Sequence, residues 1–90
     1  MNTSYALEHI NRTNVRNVIS SWGFKFQVDH STASTNIYKL NENIIKVKSV
    51  DKYPGVLIVK HYKDINDDDP KITYIRAWDE AAELNLASIL

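Results

Sequence analysis

At Gly23 the hydrophobic periodicity of this chain changes from that of a helix to that of a strand, and this change limits the available folds more than any other feature. Before it, Leu7, Ile10, Val15, Val18, Ile19 and Trp22 fall on one broad side at about 100° per residue, while His9, Arg12, Thr13, Arg16 and Ser20 take the other. That pattern predicts a helix capped by Ser4 and running to about Ser21, with Gly23 as the left-handed residue that stops it. Asn11 and Asn14 intrude on the apolar side, so a break near Asn11-Arg12-Thr13-Asn14 is expected. After Gly23 the period is two: Phe24, Phe26 and Val28 alternate with Lys25, Gln27 and Asp29.

Two further strand-like runs, TNIYKL and IIKVKSV, are separated by Asn41-Glu42-Asn43, a three-residue hairpin signal. Tyr53-Pro54-Gly55 suits a type II turn, with proline at its second position and glycine at the third, where φ is positive. It leads into VLIVKHYK, where Val56 to Val59 are apolar on both alternating sets, as in a strand covered on both faces. The second face therefore calls for a cover, from helices or from a partner. Residues 70 to 89 fit either one long helix or a strand followed by a helix. We expect a strand over 72 to 77 and a helix over 79 to 88, because ITYI is rich in strand formers and Asp79-Glu80 starts a second helical stretch. The expected fold is α+β: an N-terminal helix, an antiparallel meander of four to five strands and a C-terminal helix, in a two-layer sandwich. At 90 residues the chain forms one domain, residues 1 to 90, with a modest core.

The charge is balanced in sum and divided in sequence. Residues 1 to 63 hold nine Lys and Arg against four acids; residues 64 to 90 hold Lys71 and Arg76 against seven. The acids crowd into the stretch DINDDDP, residues 64 to 70. As an EF-hand loop opening at Asp64 it would need glycine where Asp69 stands and a bidentate glutamate where Ile75 stands, so calcium chemistry is not expected. The plainer reading is a hairpin loop whose Asp and Asn side chains bond their own backbone. Together with Asp79, Glu80 and Glu83, the residues Asp64, Asp67, Asp68 and Asp69 also offer an acidic surface for a basic partner.

Lysines supply the opposite candidate. Lys46 and Lys48 share one strand face, and Lys25, Lys39, Lys60 and Arg76 join them if the strands register suitably, with Tyr38, Tyr62 and Tyr74 near enough to interleave. Cations with exposed aromatics on a sheet are what a single-stranded nucleic acid uses. Arg12 and Arg16, with His9, form a second basic group on the first helix, where Glu8 and Arg12 are spaced for an i,i+4 pair.

Other chemistry finds little support. The chain has no cysteine, which leaves no disulfide framework and no thiolate. His9, His30 and His61 are scattered without ligand spacing, so neither a metal nor a cofactor is expected. Two glycines build no phosphate-binding loop, and Ser31, Thr32, Ser34 and Thr35 have no ordered base beside them, so no catalytic residue is assigned and the chain is not expected to be an enzyme. No apolar run is long enough to span a membrane, and the first residues lack the basic head and apolar stretch of a secretory leader; a cytoplasmic protein is expected.

The expected function is a small noncatalytic protein-interaction module that occupies a surface of a larger protein or complex through its acidic residues. The alternative is a single-stranded nucleic-acid binder using the basic strand face. In size and general style, a compact domain with short turns and no catalytic constellation, the chain resembles the small accessory proteins of phages and mobile elements, including inhibitors of host defence such as anti-CRISPR proteins. That resemblance implies inhibition by binding. A homodimer through the C-terminal helix, with Leu86, Ile89 and Leu90 across a two-fold axis, is compatible with either function.

Overall fold

The computed structural model describes residues 3–90 and, within them, the side chains from Ala6 onward. Its elements run α1 (Thr3–Ser21), β1 (Lys25–Phe26), a 3₁₀ turn (Val28–His30), β2 (Thr35–Leu40), β3 (Asn43–Ser49), β4 (Leu57–Tyr62), β5 (Lys71–Ile75) and α2 (Glu80–Ala87). The strands form one antiparallel sheet in the order β1-β2-β3-β4-β5, a meander, so the chain has the expected α+β architecture.

The buried strand residues Tyr38, Ile45, Val47, Leu57, Val59 and Ile75 all lie on one side of the pleat, and Val15 and Ile19 of α1 with Ala82 and Leu86 of α2 join them in a single core. Both helices therefore cover the same face. The described residues do not supply the expected second cover over β4: Ile58, on the opposite side from Leu57 and Val59, is only half-buried.

Local sequence explains most boundaries. Helix α1 ends where the Gly23 N–H bonds the Ser20 carbonyl at 3.0 Å and Gly23 takes φ +95°. Because α1 already includes Thr3, Ser4 lies within it and is not its cap; the Ser4 side chain lies outside the described residues. The β2–β3 connection is a two-residue loop, shorter than the expected three, since Leu40 pairs with Asn43. Asn41 enters it at φ 53°, a conformation that asparagine tolerates. Val56 N–H bonds the Tyr53 carbonyl at 3.1 Å with Gly55 at φ +89°, as a type II Pro-Gly turn requires. Asp79 caps α2 by accepting the Ala82 N–H at 2.8 Å, so residues 71 to 87 are strand then helix, with the strand ending at Ile75 rather than 77.

Three further expectations are corrected. The first strand is only two residues long because Ser31 replaces its ladder: the Ser31 hydroxyl donates to the Gln27 carbonyl at 2.7 Å and accepts the Ile37 N–H at 2.9 Å, turning Val28 out to solvent. Ile10, expected in the core, is 51% exposed. Asn11 does not break α1; it is fully buried, and its Nδ2 donates to the carbonyls of Gly55 at 2.9 Å and Arg76 at 3.3 Å. One side chain thus ties the helix to the turn before β4 and to the end of β5. At the other end of the sheet His61, beside Phe24, donates from Nδ1 to the Ile89 carbonyl, and its Nε2 lies 2.9 Å from the Asn43 side-chain amide.

Replacing Asn11 by alanine strands two carbonyls in the interior. We expect Asn11→Ala to cost about 2 kcal/mol in urea unfolding, with a fall in Tm on the order of 10 °C. A variant within experimental error of the parent would show that these bonds do not hold the layers together.

Candidate functional site

The uncovered face of the sheet gathers most of the chain's strand cations. Successive strands place three rows across it: Lys25, Lys39, Ile44 and Tyr62; Ile37, Lys46, Lys60 and Ile72; Thr35, Lys48, Ile58 and Tyr74. Neighbours in a row are roughly 5 Å apart and the rows roughly 7 Å apart. Five lysines thus share one surface, and no strand residue on either face is acidic. The sixth strand lysine, Lys71, lies on the helix side and donates to the Leu90 carbonyl at 3.1 Å.

This arrangement opposes sheet stability. Lys25 faces Lys39 and Lys46 faces Lys60 directly across their strands, and like charges in that position repel. Lys46 is partly relieved by Tyr62, whose ring centroid lies 5.1 Å from its Nζ. The lysine stems lie beside Ile37, Ile44 and Ile58, which keeps these isoleucines half-covered while the ammonium groups reach water. Tyr74 is 52% exposed at the edge of the face. Beside it Ser34, Thr35, Lys48, Ser49 and Lys60 line a polar groove with Asp51 at its margin.

Not every expected member belongs. Tyr38 lies on the helix side at 1% exposure, and burial pushes its phenol above the ordinary value, with the Asn36 hydrogen bond and then Arg16 and Arg12 acting the other way. Arg76 lies past the end of β5, exposed, in a groove along that edge. The basic group on α1 is engaged elsewhere. Arg12 pairs with Glu8 at 3.3 Å and donates to the Ser34 carbonyl and the Ser49 hydroxyl, while Arg16 stacks 5.3 Å from the centroid of Phe26.

The acidic residues are not gathered into one surface. Asp64, Asp67, Asp68 and Asp69 lie in the β4–β5 loop at the start of β5, whereas Asp79, Glu80 and Glu83 follow its far end, because α2 runs back along the strand until Leu90 meets Lys71. The loop acids are turn-formers: Asp64 accepts the Asn66 N–H at 2.8 Å, and Asp67 accepts the N–H groups of Lys63 at 2.8 Å and Asp69 at 2.9 Å. Of the three residues expected at a two-fold contact, Leu86 and Ile89 are buried in the chain's own core and Leu90 is 49% exposed. Among the described residues no three His, Asp or Glu side chains converge as metal ligands, and no helix is long and apolar enough to cross a membrane.

The two backbone donors, Lys63 first and then Asp69, hold the Asp67 carboxyl below its ordinary value. A carboxylate depressed in the folded state favours order above the usual carboxylate range and loses that contribution as pH falls through the folded value. Acidification should therefore move the Lys63 and Asp69 amide proton chemical shifts towards those of unbonded amides, and Asp67→Ala should move them in the same direction at neutral pH. Amide NMR signals for these two residues that ignore both changes would rule the turn bonds out.

Compared with known proteins, the chain matches no family model, no curated protein and no solved structure.

Proposed function

We propose that this protein is a noncatalytic binding module whose working surface is the open face of its sheet, and that it takes a single strand of nucleic acid there. The observation that carries the reading is the registration of Lys25, Lys39, Lys46, Lys48 and Lys60 on one uncovered face, free of strand carboxylates and including two directly opposed pairs. Such repulsion weakens the free protein and is relieved when anions sit between the lysines. Tyr62 and Tyr74 decide in favour of nucleic acid over an acidic peptide, since aromatic rings among cations give bases a stacking surface. A sheet presents a broad surface suited to splayed bases rather than a probe for a duplex groove.

The formal charge of zero is consistent with this reading because no strand carboxylate stands among the lysines, although Asp51 lines the groove beside Lys48 and Lys60. The β4–β5 loop and the start of α2 repel a polyanion and so orient it towards the lysine face. A cytoplasmic setting accompanies the proposal, as the compartment where single strands are accessible. The acidic-surface alternative has weaker support, because its residues divide between two ends of β5 and three of them, Asp64, Asp67 and Asp79, bond local backbone.

The test is fluorescence anisotropy with labelled oligo-dT and oligo-U, with poly-glutamate as the acidic peptide. Oligonucleotide affinity should fall with salt at a log–log slope of about −0.7 per phosphate neutralised, and each lysine-to-glutamine change should flatten the slope by roughly that amount. Binding of poly-glutamate in preference to the oligonucleotides would overturn the proposal in favour of an acidic protein partner.

The opposed pairs add a second expectation. Lys60→Gln should weaken oligonucleotide binding yet stabilise the free protein by roughly 0.2–1 kcal/mol. Loss of both stability and binding would assign Lys60 to the fold instead.

A further inference from the structure

The two edges of the sheet differ. At one, β1 has only two residues, and the 3₁₀ turn with Ser31 closes the chain against β2. At the other, β5 offers five residues, Lys71 to Ile75, with no proline, and none of its backbone groups bonds a loop or helix among the described residues. An open edge of this kind is a template for another strand. Ile72 and Tyr74 stand on it two residues apart, 48% and 52% exposed on the same face. The groove along the edge is bordered by Ala77 and Ala81, whose small side chains leave room for a backbone to approach, and by the polar Asp79 and Asn85.

We propose that the occupant of this edge is β5 of a second copy, paired antiparallel about a two-fold axis at Thr73. That register uses all five residues. Thr73 meets the partner's Thr73, Ile72 meets the partner's Tyr74, and Lys71 meets the partner's Ile75. The two exposed apolar side chains are then each other's cross-strand neighbours, and they bury one another twice, once on each side of the axis. Just outside the ladder, Arg76 of one copy arrives beside the partner's Pro70 and the partner's Asp69, so the cation left past the end of β5 meets the acidic loop that precedes it. The edge is thus self-complementary in both shape and charge. Assembly stops at two, because the β1 edge is too short to accept another strand.

The joined sheets present one continuous surface, with Ile72 and Tyr74 of both copies at its centre and lysines towards both sides. This inference rests on the edge and not on the identity of the ligand.

The experiment is sedimentation velocity across a concentration series, with cross-linking through introduced cysteine in a chain that has none. The parent should show a concentration-dependent dimer. Arg76→Asp and Asp69→Arg should each weaken it roughly tenfold, and the double variant should restore it, since the swapped charges meet again across the axis. Thr73→Cys should form a disulfide-linked dimer under oxidised glutathione, while Ser88→Cys, exposed on the far end of α2, should not. Circular dichroism keeps unfolding separate from loss of pairing. A monomer at every concentration, leaving the edge to some other strand or to none, would overturn the proposal. So would a dimer indifferent to Arg76→Asp, or equal cross-linking at both cysteines.

Discussion

Two helices, of 19 and 8 residues, have to close the core over a five-stranded sheet, and they can do so on one face only. The choice of face follows from the pleat. On β3 to β5 the odd-numbered positions supply Ile45, Val47, Leu57, Val59 and Ile75, and on β2 the even-numbered Tyr38 comes into line with them through the two-residue loop at Asn41. Everything available for binding is a consequence of that sidedness. The opposite positions have no layer to pack on, so they carry lysines whose stems cover isoleucines and whose charges stay in water. Asn11 keeps the layers in place by giving two loop carbonyls a partner that neither helix nor sheet geometry would provide.

How far the sequence could be read depended on how local each determinant was. The switch at Gly23, the Pro54-Gly55 turn and the cap at Asp79 are each written within about four residues, and each was legible. Asn11 was misread as a break because its partners, Gly55 and Arg76, are 44 and 65 residues away, and a polar residue on an apolar stripe looks the same whether or not it finds them. The early end of β1 was hidden for a related reason: alternation ran on through Val28, but the hydroxyl of Ser31 captured the bonds that a longer strand would have made. For the site, the sharing of a face by Lys46 and Lys48 was visible within one strand. Whether Lys25, Lys39 and Lys60 joined them was a question of register between strands. Tyr38 needed no register to be excluded: it adjoins Lys39 in β2, and neighbouring residues of a strand point to opposite faces, so the two could not share one surface.

The division of charge along the chain survives in space, but not as two opposed faces. Five of the nine cations of the first two thirds meet because β1 to β4 lie side by side. The acids of the last third separate because β5 intervenes between the loop before it and the helix after it. Several of those acids have local tasks: Asp64 and Asp67 shape the hairpin, Asp79 caps α2, and Glu80 and Glu83 lie in its first turn, where the helix dipole favours them. A run of carboxylates that reads as a docking signal in sequence is thus largely accounted for by backbone geometry.

The lysine stems have such an account, since they cover isoleucines, but the direct opposition of like charges on this face has none. Nothing in the free chain is stabilised by setting Lys25 against Lys39 or Lys46 against Lys60, and a sheet selected for stability alone would place an acid or a threonine in one position of each pair. Among the described residues only one of these four ammonium groups, that of Lys46, is matched to an aromatic ring. Opposed pairs that cost stability with no structural return are where binding is to be sought. The same reasoning applies to the β5 edge, where Ile72 and Tyr74 stay exposed although charges and a proline stand only at the strand's ends, and where Arg76 and Asp69 flank a strand that can pair with itself. Both features depart from the rules that shape the rest of the chain, and they adjoin one another along the open side of the sheet.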